Sequence, residues 1–323
     1  MLRSMYAGIS GMKNFQTKLD VIGNNIANVN TYGFKKGRVV FQDMLSQNLS
    51  GASAATSTRG GVNSKQVGLG SQLAAIDTIQ TSGSTQTTGR TLDLSISGDG
   101  YFVVAEAMVK PGTGDNDDAV TILEKKYTRA GNFYLDKNGY LINSEGLYVL
   151  GYESKETDAD QDSNTGNAGQ NANQEPKSLI KIPTDAKDIS IGPDGKVSFI
   201  PATKTSENGG GEEKVGDGDG DVTQNEGLSV AGTISFAKFA NSGGLQKSAS
   251  NLFTPTSNSG DAIFTKAGEG GTGTVASSTL EMSNVDLSEE FTEMIVAQRG
   301  FQANTKIITT SDEILQELVN LKR

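Results

Sequence analysis

Any catalysis or tight metal binding in this chain would have to come from acidic side chains, because its 323 residues include no His and no Cys. That composition excludes a Ser-His-Asp triad, imidazole metal sites, thiolate nucleophiles and disulfides. Asp217-Gly218-Asp219-Gly220-Asp221 has the alternating oxygen donors of a calcium loop. An EF-hand begun at Asp217 needs Gly at its sixth position and Glu at its twelfth. Those positions hold Val222 and Leu228, so the run reads as a solvated acidic turn. Asp115, Asp117 and Asp118, or Asp158, Asp160 and Asp162, offer the paired carboxylates that hydrolases use. They stand in polar, low-complexity stretches, and nothing nearby in sequence would desolvate them. No catalytic residue, cofactor or metal ligand is expected.

Lys35, Lys36 and Arg38 form a basic cluster. It reads as a solvated helix end, with an acidic surface on a neighbouring subunit as the alternative. Overall charge points away from nucleic acid. Lys and Arg number 28 against 38 Asp and Glu, a net of −10, whereas binding phosphates needs a basic surface. Hydrophobic residues are 35 % and Gly is abundant at 40 residues, so a core that fills the whole chain is not expected. No apolar run approaches the length of a membrane span, which argues against membrane insertion. Met1 to Ile9 alternates polar and apolar residues without an apolar h-region, so no cleavable signal peptide is expected.

The elements that would position these residues fall into two kinds. Leu2, Met5, Ile9, Met12, Gln16, Leu19, Gly23 and Ile26 step by three and four, and Ile22 widens the stripe. This spacing predicts a helix of roughly 25 residues, ended by Asn30-Thr31-Tyr32-Gly33. The far end repeats the pattern at Leu287, Phe291, Met294, Gln298, Phe301, Thr305, Ile308, Asp312, Leu315 and Val319, widened by Ile295, Ile314 and Leu318. Asp286 and Ser288 sit where caps belong, and Glu289 and Glu290 suit the first turn. Both helices exceed the usual ~11–12 residues. Residues 1–40 carry Arg3, Lys13, Lys18, Lys35, Lys36 and Arg38 against Asp20 alone, whereas residues 281–323 carry a net excess of acids. Oppositely charged helices select one another, so the two ends are expected to pair. The Asn-rich run Asn24-Asn25-Ile26-Ala27-Asn28 is poor helix material. Its amides suit backbone bonds at a helix end or bonds across helices.

Between the ends the pattern is β. Leu92-Asp93-Leu94-Ser95-Ile96, Tyr101-Phe102-Val103-Val104, Phe133-Tyr134-Leu135, Tyr140-Leu141-Ile142, Leu147-Tyr148-Val149-Leu150 and Lys196-Val197-Ser198-Phe199 are short apolar runs parted by Gly and Asn turns. They predict an antiparallel sandwich or barrel. The fold class is therefore α+β: long terminal helices pairing as a coiled coil, with a central antiparallel all-β domain. Residues 1–40 and 281–323 make the helical part, 41–90 an extended connector and 91–280 the β domain. Polar loops are expected at 111–119, 153–175 and 204–226.

Three stretches carry a resemblance. They are Met5-Tyr6-Ala7-Gly8-Ile9-Ser10-Gly11-Met12 with Ile22 to Lys35, then Gly89-Arg90-Thr91-Leu92-Asp93-Leu94 through Tyr101-Phe102, and Ser283-Asn284-Val285-Asp286-Leu287-Ser288 with Met294-Ile295-Val296-Ala297-Gln298-Arg299 and Ile314 to Leu321. With Ala267-Gly268-Glu269-Gly270-Gly271, they resemble the bacterial flagellar axial proteins, the basal-body rod and hook family. The resemblance implies a structural subunit with no cofactor, whose helices line a helical tube with the β domain outside. It implies self-assembly, contacts with other axial proteins (rod, hook cap, hook–filament junction) and the export apparatus, and an extracellular place in the flagellum.

The wording of Val285–Ser288 and Met294–Arg299 is closer to hook than to rod members. The main expectation is thus a hook subunit acting as a universal joint, and the alternative is a distal rod subunit. An exported hydrolase or an adhesive surface subunit is the rival from another class. The subunit-interface seam is expected at Leu2, Met5, Ile9, Met12, Leu19, Ile22, Ile26, Leu287, Phe291, Met294, Ile295, Phe301, Ile308, Leu315 and Leu318.

Overall fold

The computed structural model describes residues 2–110, 119–153, 175–201 and 228–321. The calcium-like run at Asp217 and the aspartates Asp115, Asp117, Asp118, Asp158, Asp160 and Asp162 lie outside the described residues, as do nearly all of the three polar insertions. The chain divides into two compact units.

The first unit joins Met1–Thr81 to Ser283–Arg323. Helix α1 (Leu2–Ala27) has 26 residues and α2 (Leu287–Leu321) has 35. Asp286 caps α2: its Oδ1 accepts the N–H groups of Ser288 at 2.8 Å and Glu289 at 3.4 Å, satisfying donors that the first turn leaves without helical partners. Glu289 and Glu290 follow in the first turn, where carboxylates complement the helix dipole.

Strands β1 (Gly37–Asp43) and β4 (Ser71–Thr78) pair antiparallel, with a bulge between Val40 and Phe41. Nested between them in sequence, β2 (Ser46–Ser50) pairs with β3 (Lys65–Gly68). Much of the stretch expected as an extended connector is therefore hairpin. Its Ser-, Thr- and Gln-rich composition hides this, because backbone bonds rather than buried side chains hold these strands together. The β1–β4 pair packs on α1 through Phe41, whose ring meets Phe15 edge-on at 6.2 Å, and through Asn14, which donates to Ser71 Oγ at 2.9 Å. Every residue of β2 and β3 is exposed.

The second unit, Ser82–Met282, is the β unit. Its largest sheet runs in the order Ile189–Ile191, Lys196–Phe199, Ser229–Ile234, Tyr148–Tyr152, Tyr101–Lys110, Ala119–Thr128, Leu252–Thr254, Gln246–Lys247. All of these neighbours pair antiparallel. Tyr101 to Ala105 on the central strand are all buried. Side chains alternate across a strand, and here both faces are covered. Phe102 and Val104 join Leu94, Phe133, Leu141, Ile234 and Phe236 in one core. Tyr101, Val103 and Ala105 join Tyr127, Leu150, Phe239 and Phe253 in another. The turn Asp136-Lys137-Asn138-Gly139 closes as its sequence predicts. Gly139 has φ of 82°, and a Cβ there would run into the Ile182 carbonyl oxygen, so only Gly fits.

Two further strand pairs complete the unit. Strand β5 (Thr85–Thr87) pairs with Thr279–Glu281, and β6 (Leu94–Ser97) with Thr274–Ser277.

Candidate assembly interface

The terminal helices meet where small residues on one helix face larger ones on the other. A Cβ on Gly8 would lie 3.4 Å from Ile308, one on Gly11 would lie 3.0 Å from the Asn304 amide, and one on Gly300 would lie 2.5 Å from the Phe15 ring. These pairs run antiparallel, rising along α1 as they fall along α2. Thr305 adds a hydroxyl contact to Met12 Sδ at 3.8 Å. Close approach over glycines lets the backbones come near and seats Phe15 against α2. At an equal rise per residue, Leu2 lies level with about residue 313. The last two turns of α2 therefore extend past the start of α1.

Polar groups fix the other end of the pair. Asn25 is buried; its Nδ2 donates to Glu290 Oε2 at 3.1 Å and to Gly37 O at 2.9 Å, while its Oδ1 accepts the Gly37 N–H at 3.0 Å. The Asn-rich run thus bonds across helices at Asn25 and along its own helix at Asn28, which donates to Asn24 O at 2.9 Å. Lys18 pairs with Glu293 at 3.1 Å and Lys36 with Glu289 at 2.7 Å. Such part-exposed pairs contribute up to about 1 kcal/mol each and select partner and register more than they stabilise.

The basic cluster is accordingly not a solvated helix end. Lys36 is paired within its own chain. Lys35 is 1 % exposed and donates to Thr81 O at 2.7 Å, and Arg38 reaches Asp77 at 3.5 Å. Asn284, which the sequence placed in a family-like stretch without giving it a role, accepts the Lys36 N–H at 2.7 Å and donates to Ile79 O at 2.9 Å. Its partners lie more than 200 positions away, so no local signal could reveal it.

The seam residues divide by exposure. Ile22 is buried; Met5, Ile9, Met12, Leu19 and Ile26 on α1 and Met294, Phe301, Ile308 and Leu315 on α2 are half-buried; Leu287, Phe291, Ile295 and Leu318 are exposed. The side chain of Leu2 lies outside the described residues. Along α2, Met294, Ala297, Phe301, Asn304, Ile308, Ser311 and Leu315 form one row that is buried or half-buried. A second row, Val296, Ala303, Ile307, Ile314, Leu318 and Leu321, is exposed throughout. It too has heptad-like spacing. Ile307, Ile314 and Leu318 are each 44–48 % exposed and Val296 is 58 % exposed. Exposed apolar residues that share one helix face make this row a candidate docking surface. Among the described residues, Arg3 and Lys13 of α1 and Glu313 and Glu317 of α2 make no ion pair. No helix among the described residues is long and apolar enough to cross a membrane.

Residues 5–35 match the family described as flagella basal body rod protein, 95–199 the D1 domain of the flagellar hook protein FlgE/F/G, and 276–321 the C-terminal part of the flagellar basal body rod FlgEFG protein. The chain is 54 % identical to the flagellar basal-body rod protein FlgG of Bacillus subtilis (strain 168), with 100 % of both chains covered. It is 33 % identical to the flagellar hook protein FlgE of Borreliella burgdorferi over 457 aligned positions, and 33 % identical to that organism's flagellar basal-body rod protein FlgG over 325, again with both chains covered completely.

Proposed function

The chain belongs to the flagellar basal-body rod and hook family, and from that membership we propose that it is a subunit of the distal rod, the drive shaft of the basal body. Proteins of this family are structural, and the chain is a structural protein of the flagellum, not an enzyme. The observation that carries the rod reading is the 54 % identity, sustained along both chains, with a protein named as a rod protein. The hook reading drawn from Val285–Ser288 and Met294–Arg299 gives way to it. Alignment with a hook protein spreads over 457 positions, well beyond the 323 residues of this chain, so the hook relative carries sequence that this chain lacks.

In this reading α1 and α2 pair as a coiled coil on the inside of a helical tube, and the exposed row on α2 receives a neighbouring copy. The two surfaces that meet are unlike, one apolar row against a different face of the next subunit. Repeating such a heterologous contact builds an open helix, not a closed dimer. Arg3 and Lys13 on one copy and Glu313 and Glu317 on the next supply complementary charge for steering and register. The assembled tube joins other axial proteins at its ends, and its subunits leave the cell through the flagellar export channel.

Complementation tests the assignment. Expressed in a Bacillus subtilis strain that lacks its own rod protein, the chain should restore filaments and swimming. Rescue of a hook-deficient strain in place of the rod-deficient one would reverse the assignment.

A further inference from the structure

The backbone passes between the two units twice, at Thr81–Ser82 and at Met282–Ser283. In each unit the outgoing and returning segments are bonded to one another. In the first, Asn284 Nδ2 donates to Ile79 O at 2.9 Å and to Thr81 Oγ1 at 3.0 Å. In the second, Met282 N–H donates to Ser84 O at 2.8 Å, after which β5 and Thr279–Glu281 pair and Thr88 N–H closes on Ser278 O at 2.9 Å. The passages are thus a two-stranded ribbon on the β side, not two free linkers.

Thr279 ties that ribbon to the rest of the β unit through its N–H to Asp93 O at 3.2 Å and its hydroxyl to Ser95 Oγ at 2.7 Å, and a buried charged side chain does so as well. Glu281 is 1 % exposed; its Oε1 accepts the Gly83 N–H at 3.0 Å and its Oε2 accepts from Arg129 Nη1 at 3.1 Å. Arg129, 3 % exposed, also donates through Nη2 to Gly98 O at 2.8 Å and lies 5.4 Å from the Tyr101 ring centre. The carboxylate and guanidinium together hold backbone at Gly83, at Gly98 and in the last strand of the unit.

Stability alone is a poor reason for this pair. Taking both charges out of water costs several kcal/mol per ion, and well-packed apolar residues of the same volume often serve as well or better. Arg129 Nε has no hydrogen-bond partner, which adds to that cost. What an apolar pair could not supply is direction: two carboxylate oxygens and a planar fork of donors fix three backbone segments at defined angles.

We propose that Arg129 and Glu281 are positioning residues that anchor the paired crossing strands to the β unit, so that load entering by either passage is shared by both and borne by the central sheet. The proposal goes beyond the rod assignment and does not depend on whether the polymer is rod or hook.

Hydrogen exchange on the full-length chain, kept dilute and unassembled, tests it. The doubly substituted Arg129→Met/Glu281→Leu chain replaces the pair by apolar groups. Its amides at 83–87 and 279–282 should exchange about tenfold faster, while those of Tyr101–Ala105 keep the wild-type rate, as expected for local opening without global loss. Unchanged exchange in the crossing strands overturns the proposal. So does a uniform rise across residues 82–282, which would make the pair ordinary core. Should that chain fail to fold, Glu281→Gln keeps the size and the Gly83 acceptor and is read by the same criteria, with a smaller local acceleration expected.

Discussion

The central strand of the β unit and the outer row of α2 are made of the same kinds of side chain and meet opposite fates. Phe102, Val103 and Val104 are 0 % exposed, covered by cores on both faces of their sheet. Val296, Ile307, Ile314 and Leu318, on a helix just as regular, are half-exposed or more. The difference lies in the number of layers that the chain itself supplies. The β unit covers its central strand on both faces from Tyr101 to Ala105. The helical unit gives α2 one partner helix, which covers a single face of it, while the β1–β4 pair packs on α1. One unit buries its strongest apolar run within itself, and the other leaves an apolar row on its surface, the row proposed above to receive a neighbouring copy.

The largest effect expected from this contrast is on assembly. Ile314→Glu with Leu318→Glu places two charges on the open row and none in a monomer core. The substituted subunit should keep its circular dichroism spectrum and its β-unit unfolding transition, yet give no tubes by electron microscopy and sediment as a monomer at concentrations where the parent polymerises. Tubes of normal length would mean that the outer row faces solvent in the polymer, and the contrast with the β core would lose its meaning.

A second effect separates the two units by pH. Burial pushes the Tyr101 hydroxyl up to about 12 from its ordinary 10.0, against the opposing pull of Arg129, and burial does the same for Tyr127. Below pH 10 both tyrosines are protonated whether the chain is folded or not, so their contribution is intact. Between about pH 10 and 12 the unfolded chain loses these protons first, and stability falls by up to roughly 3 kcal/mol for Tyr101 over that interval. Urea unfolding followed from pH 9 to 12 should show this decline in the β unit, to which half-buried Tyr152 also contributes, and Tyr101→Phe should flatten part of it. A decline unchanged by Tyr101→Phe would place its origin elsewhere.

Much of this arrangement is legible in the residues, and the part that is not has a common cause. Three-four spacing locates both helices to within a residue or two, because each apolar stripe is a local property of its own segment. The Gly- and Asn-containing turns mark the β unit for the same reason. What spacing cannot reveal is which face of a helix meets which partner. The contact between α1 and α2 involves Gly8, Gly11 and Gly300, residues that carry no hydrophobic signal. Asn284 and the Arg129–Glu281 pair are hidden for a related reason. Their partners are distant in sequence, and a single polar residue in a strand looks like surface until its partner is seen. The choice of rod over hook came from whole-length similarity, since short motifs at the ends are shared by both.

The smallest effect is also the most direct probe of the helix pair. Gly300→Ala has two consequences of opposite sign. In an isolated helix, Ala is favoured over Gly by about 1 kcal/mol. In the folded unit, the new Cβ would sit 2.5 Å from the tip of the Phe15 ring, and Phe15 is itself held edge-on by Phe41. Overpacking of this kind costs about 1–3 kcal/mol, so the single substitution should be mildly destabilising. Removing the ring should reverse the sign. In a Phe15→Ala background, Gly300→Ala should stabilise the helical transition by about 1 kcal/mol, giving a coupling of roughly 1–3 kcal/mol around the cycle. Equal effects in the two backgrounds would mean that α1 and α2 do not touch at this point in the free subunit. The helical unit would then lack even the one covered face that sets it apart from its open row.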